Sequence, residues 1–200
     1  MHAGQTDPDY AYSPHEQRRL AQNLAAIYAD FDIGKYQPLD YSSDLICAWH
    51  HRLFAGVRDH AGNHRSPDFG PEVLIFGTNR SVHRDQVPRE LDAHCASANR
   101  LIREAQARAV SLEIRFIREA VRVAAYVHAD LIRIHPFIDG NGRVGRLVLD
   151  WILLSFTFPC LAAFHIPAEE YRAALNHYFA TRDIDLLVDL VLRALSFNLT

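Results

Sequence analysis

A proline at position 136 cuts off the strongest helical pattern in the chain. Ile114, Ile117, Val121, Ala124, His128 and Leu131 recur every three or four residues, which predicts a long helix over about 111–134 with one apolar face. That helix must stop before Pro136, whose ring disfavours the right-handed helical conformation for the preceding residue. His135 is therefore expected in an extended state, at the lip of a buried helix and not within it. A second helix is expected to begin near Gly142, with Val144, Leu147, Val148 and Trp151 on its apolar face and Pro159 closing the segment. The stretch between and into these helices reads HPFIDGNGRVGR, His135 to Arg146.

The residue types in this stretch form a chemical set. Gly140, Asn141 and Gly142 can adopt strained or left-handed backbone conformations at low cost. Successive N–H groups then face one concavity, a nest that suits an anion. The nest opens a helix, whose unpaired N–H groups and dipole favour negative charge. Arg143 and Arg146 lie three apart, hence on one helical face, and a pair of guanidiniums beside such a nest suits a polyphosphate. Asp139 precedes the nest, where a carboxylate beside phosphates can hold Mg²⁺. Histidine is the side-chain type best suited to proton transfer near neutral pH, so His135 can take a proton from an attacking hydroxyl. Phe137, flanked by polar residues, is expected to turn inward and anchor the loop. Base, metal ligand, phosphate cradle and charge clamp together fit in-line transfer from a Mg²⁺-bound nucleotide onto a hydroxyl.

Plainer roles exist for several of these residues. A histidine at a helix end can simply cap carbonyls, and Arg146 can pair with Asp150 on the surface. His128, on the apolar stripe, reads as a core histidine. His50-His51 and His60 with His64 are the best metal candidates among twelve histidines, yet no third ligand stands at metal spacing. Polar roles at the surface or in the core suit them better.

Elsewhere the chain reads as helical. Ser13-Pro14-His15-Glu16 carries a serine N-cap, proline at the first helical position and glutamate at the capping-box position. Leu20, Leu24, Ile27 and Phe31 follow at helical spacing, ending at Gly34 and Pro38. A helix is expected over 42–55, a loop over 59–72, and a further helix opened by Pro88. Val73-Leu74-Ile75-Phe76 is a short β-type run, either a plain buried strand or half of a small hairpin returning through Ser81-Val82-His83. Two last helices are expected over 167–178 and about 184–197. The expected organisation is a loose arm over 1–12 and one mostly helical domain over 13–200.

Composition narrows the function. Apolar residues make up 49% and charged residues 22%, ordinary for a soluble globular protein. A net charge of −3 gives no bulk attraction to nucleic acid or to an anionic membrane, so neither is an expected partner. Cys47, Cys95 and Cys160 are odd in number and scattered, which fits a reducing compartment without a disulfide framework. No apolar signal core opens the sequence, and its longest apolar run is too short to span a bilayer. The cytoplasm is the expected location, with delivery into another cell by a secretion machine leaving no legible mark.

His135-Pro136-Phe137-Ile138-Asp139-Gly140-Asn141-Gly142-Arg143-Val144-Gly145-Arg146 resembles the signature of the Fic family, His-Pro-Phe-x-(Asp/Glu)-Gly-Asn-Gly-Arg-x-x-Arg, at every specified position. The resemblance runs from about residue 40 to 155. LICAWHHRLF with AGNHR resembles the helix and loop upstream of the family's flap, VLIFGTNRSV sits where the flap hairpin is expected, and HADLIRIHPF resembles the helix entering the motif. It implies an all-α, Fic-like fold with a small β-hairpin flap. The implied activity is protein adenylylation: AMP passes from ATP to a Tyr, Thr or Ser hydroxyl of a target protein, and pyrophosphate leaves.

By motif position His135 would be the general base and Asp139 the Mg²⁺ ligand. Gly140, Asn141 and Gly142 would hold the α- and β-phosphates, Arg143 the β-phosphate side and Arg146 the γ-phosphate. Val73, Leu74, Ile75 and Phe76 would belong to the flap that pins a target segment by strand-like pairing. Relatives in the family move UMP, phosphate or phosphocholine, or remove AMP, and a nucleotide-binding regulator or the toxin of a toxin–antitoxin pair is the alternative from another class. Many members carry an inhibitory (Ser/Thr)-x-x-x-Glu-(Gly/Asn) helix. The nearest stretch here, Thr181 to Asp185, has aspartate for glutamate, so the resemblance implies a separate small antitoxin-like partner as inhibitor.

Overall fold

The computed structural model describes residues 5–6, 12–32, 34–35, 40–108, 114–158 and 167–196. It contains β1 (Gln5–Thr6), α1 (Pro14–Asp32), α2 (Ser43–Phe54), β2 (Leu74–Phe76), β3 (Asn79–Arg80), α3 (Val87–Arg108), α4 (Ile114–Ile134), α5 (Asn141–Ser155), α6 (Ala168–Thr181) and α7 (Asp185–Ser196). The fold is mostly helical with one very small sheet.

Helix α4 forms the centre, packed against α3, α5 and α7. Its small residues make this physically feasible: Ala120, Ala124, Ala125 and Ala129 are fully buried, so neighbouring backbones can approach closely. Larger side chains fill the gaps between them, among them Val121 and Leu131 from α4 and Val144, Leu147, Val148 and Ile152 from α5. Truncating a buried leucine such as Leu131 to alanine would cost about 2–5 kcal/mol. Trp49 and Trp151 meet edge to face at 5.9 Å in the same core. Among the described residues, no helix is long and apolar enough to cross a membrane.

The capping box at the start of α1 forms in both directions: the Ser13 N–H donates to Glu16 Oε2 at 2.8 Å, and the Glu16 N–H donates to Ser13 Oγ at 3.3 Å. Ser42 caps α2 by accepting from the Leu45 N–H. The side chain of Asn23 donates to the carbonyls of Leu53 and Ala55, which ties α1 to the end of α2.

Three features depart from the expectation. The return strand of the hairpin is Asn79–Arg80, not Ser81–His83, because Gly77, at φ +58°, allows a tight turn that pairs Phe76 with Asn79. The amino-terminal arm contributes a strand, with Gln5 opposite Leu74 and Thr6 opposite Ile75 in parallel register, so the sheet runs β1-β2-β3. His135 is not extended. Its φ is +53°, left-handed, and its N–H donates to Leu131 O at 3.0 Å. Pro136 bars only the right-handed continuation, so α4 closes with a left-handed cap, a conformation histidine tolerates better than most residues. The expected start of α4 at 111 and the close at Pro159 lie outside the described residues.

Candidate active site

The end of α4, the loop after it and the first turn of α5 bring the motif side chains together. His135 is 4% exposed. Its Nδ1 lies 3.2 Å from Ile132 O. A carbonyl only accepts, so Nδ1 carries the hydrogen and the neutral ring keeps its in-plane lone pair on Nε2. Phe76 of β2 stacks on the imidazole face, and Phe179 of α6 meets Phe76 edge to face at 5.8 Å. The flap tip also touches α6, with the Asn79 amide donating to Asn176 at 2.6 Å. Leu74 is buried, while Val73 lies just before the strand and Ile75 is half-buried within it.

Phe137 is fully buried and lies parallel to the His50 ring, centroids 3.9 Å apart. Asn141 is also buried, and its side chain holds the backbone of Phe137 twice: Oδ1 accepts from the Phe137 N–H and Nδ2 donates to Phe137 O, both at 2.9 Å. The Asn141 amide is thus committed to shaping the loop, which leaves the main-chain N–H groups at the start of α5 as its means of meeting an anion. Gly140 stands at φ +80°, and a Cβ there would lie 2.2 Å from Phe54 Cε2. A Cβ at Gly142 would meet Arg146 Nη1 at an ordinary contact distance of 3.8 Å, whereas a Cβ at Gly145 would press on Ile132 and His128.

The Asp139 carboxylate accepts a short hydrogen bond from the Tyr12 hydroxyl, and Arg58 Nε stands 4.0 Å away. Arg143 Nη1 donates to the same Tyr12 oxygen at 2.8 Å. Burial, reinforced by the Asp139 charge and partly offset by Arg143, pushes the Tyr12 phenol up to about 12. Arg146 is exposed on α5. Asp150 is buried and accepts from the Tyr28 hydroxyl at 2.5 Å, which places it away from a surface pair with Arg146. The acidic stretch after α6 is turned elsewhere too, with Asp185 bonded to Arg122 on α4.

Two further residues carry the site: His50, which reads in the sequence only as a polar residue of the surface or core, and Arg65, to which the sequence alone gives no role. His50 accepts the Gly62 N–H at Nδ1 (2.8 Å), so Nε2 donates to Asp139 O (3.1 Å). Burial drops its pKa to about 3, which keeps the ring neutral. Arg65 is fully buried. Its guanidinium donates to His135 O at 2.9 Å, Ile134 O at 3.4 Å, Val82 O at 2.9 Å, Pro71 O at 3.3 Å and Glu72 O at 3.2 Å. The first two carbonyls end α4, and the other three flank the flap. Burial brings its pKa down to about 10, still far above neutral, so the charge persists. His51 and His64 each meet a local carbonyl, and His128 bonds the Tyr171 hydroxyl at 2.7 Å in the core.

The profile of the Fic/DOC family matches residues 39–153, more than half of the sequence. The chain belongs to the Fic/DOC family. It is 51% identical over 39 residues to the protein adenylyltransferase Fic of Drosophila persimilis, a match covering 20% of this chain and 8% of that one. A Fic-domain signaling protein from Bacteroides thetaiotaomicron superposes with a TM-score of 0.68 at 17% identity, over 92% of this chain and 71% of the other. The Bartonella tribocorum BepC protein, solved with bound AMPPNP, superposes with a TM-score of 0.64 at 16% identity, over 88% and 84%. Such identities establish a shared fold. Among the curated relatives the matched stretches span 8% to 53% of those proteins' own length.

Proposed function

We propose that this member of the Fic/DOC family transfers AMP from Mg²⁺–ATP to a Tyr, Thr or Ser hydroxyl of a target protein, releasing pyrophosphate. The observation that carries the reading is the placement of His135. Its Nε2 lone pair is fixed by the Nδ1–Ile132 contact at the mouth of a loop that presents Asp139, the α5 amino terminus and Arg143. Nε2 takes the proton of the incoming hydroxyl as its oxygen attacks the α-phosphorus. The N–H groups at the start of α5 and the guanidiniums of Arg143 and Arg146 receive the negative charge that builds on the departing pyrophosphate. The flap aligns the target segment by main-chain pairing.

The residues present suit Mg²⁺: Asp139 is one carboxylate beside a phosphate cradle, and no three metal-ligating side chains converge among the described residues. A magnesium ion needs little more, since it keeps several waters and takes its other ligands from substrate phosphates. When bound it would screen the phosphate charge. The adenylyltransferase name of the Drosophila relative and the AMPPNP bound to the Bartonella protein support a nucleotide triphosphate donor.

The test is ATP labelled at the α-phosphate, incubated with the protein, Mg²⁺ and a lysate of its native cells. Labelled protein bands are expected, reduced at least about a hundredfold by His135→Ala, because a positioned base contributes roughly 10²–10⁴-fold. Label arriving from the γ-phosphate alone would identify a kinase instead. His135→Ala retaining more than about a hundredth of the rate would remove the general-base role.

A further inference from the structure

The amino-terminal arm reaches the site at two places. Gln5–Thr6 lie along the outer edge of β2, in parallel register with Leu74 and Ile75. Tyr12 lies between the metal-ligand candidate Asp139 and the phosphate-ligand candidate Arg143. What the phenol does there is specific. Its O–H faces the Asp139 carboxylate, where a cation would otherwise stand. Its oxygen accepts from Arg143, where a phosphate oxygen would otherwise stand. The guanidinium carbons of Arg58 and Arg143 each lie 4.7 Å from the centre of the Tyr12 ring.

The sequence accounts for the position. The capping box of Ser13 and Glu16 fixes the direction in which the chain enters α1. Gln17 Nε2 donates to Tyr12 O at 3.0 Å, and Glu16 pairs with Arg58. Tyr12, one residue before the N-cap, is thereby held by α1, which is itself bonded to α2 through Asn23. A cavity of about 240 Å³ lined by Tyr12, Leu20, Leu24, Leu53 and Arg143 flanks the phenol and gives the ring room to leave.

We propose that the amino-terminal arm is a built-in competitor for this site, with Tyr12 occupying the places of Mg²⁺ and a phosphate oxygen and Gln5–Thr6 occupying the flap edge. The proposal rests on the adenylyl-transfer reading and adds its control. An extended target segment pairing with β2 would compete with Gln5–Thr6 for the edge, and Mg²⁺–ATP would compete with Tyr12 for Asp139 and Arg143.

The full-length protein carrying Tyr12→Phe or Tyr12→Ala tests this by titration calorimetry with Mg²⁺–ATP, alongside the α-phosphate label assay. Tyr12→Phe loses both polar contacts but keeps the ring, and it is expected to bind Mg²⁺–ATP about tenfold more tightly, the loss of roughly one charge-assisted hydrogen bond's worth of competition. Tyr12→Ala is expected to bind at least as tightly as Tyr12→Phe. Unchanged or weaker binding in both variants, with urea midpoints like the parent's, overturns the competitor role. Tighter binding without any transferred label upholds the competitor and sinks the transfer reading. Transfer with equal binding in parent and variants does the reverse, and failure of all three proteins to bind overturns both.

Discussion

Phe76 lies flat on the His135 imidazole, with ring centroids 4.1 Å apart and planes 12° from parallel. The contact covers one face of the buried histidine ring. It also makes the flap, through one aromatic ring, a determinant of how the base is oriented. Removing such a ring contact forfeits about 0.5–1.5 kcal/mol. Phe76→Ala is expected to slow single-turnover transfer about tenfold while Mg²⁺–ATP affinity stays within about twofold, since the ring contacts of Phe76 are with His135 and Phe179. A matching fall in nucleotide affinity would break the assignment.

Arg65 joins the peptide group of His135 to both flanks of the flap through five carbonyls. Lysine offers three donors at one point and cannot span that fork. Arg65→Lys leaves several buried carbonyls unmet, and a loss of about 2–4 kcal/mol in urea denaturation is expected. Transfer per folded molecule should fall through a raised KM for the target, with Mg²⁺–ATP affinity retained. Hydrogen exchange at the Phe76 amide should speed up in the same variant.

Gly140 meets two constraints at once, a φ of +80° and a Cβ position 2.2 Å from Phe54. Gly140→Ala should cost about 2 kcal/mol or more and weaken Mg²⁺–ATP binding at least about tenfold. Adding Phe54→Ala relieves the collision but not the backbone strain, so nucleotide affinity should return only in part. Full recovery in the double variant would mean that the left-handed turn is unimportant.

Two histidines make the fold acid-sensitive. Burial lowers His50 to about 3 and His128 to about 4, against an ordinary value of 6.5. Between pH 6.5 and about 4 the unfolded chain therefore binds more protons than the folded one, so stability falls as pH falls through that window. Each histidine contributes up to about 1.4 kcal/mol per pH unit. The urea midpoint should drop from pH 7 to pH 5, and His50→Gln should flatten the slope. A parent slope of zero over that range would contradict the buried-neutral assignment.

The helices and the motif were legible because their signals are local. The Ser13–Glu16 box, the apolar spacing of α4 and the Gly-Asn-Gly turn each lie within a few residues of what they determine. The failures have a common cause. His50 meets a carbonyl 89 positions away, and Arg65 meets one 70 positions away, so neither shows its partner to a local reading. His135 misled differently: the pre-proline rule forbids one conformation but does not choose between the rest, and the α4 cap chose. The return strand was placed late because the turn at Gly77-Thr78 needs only two residues. An aromatic residue directly before a capping box was the one available hint about Tyr12.

The double hydrogen bond between the Asn141 amide and the Phe137 backbone closes the loop upon itself. A loop tied by its own side chain is already assembled when a ligand arrives. Little disorder remains to be lost on association, so the entropy of capture should reflect displaced solvent and ions and not the shaping of the chain.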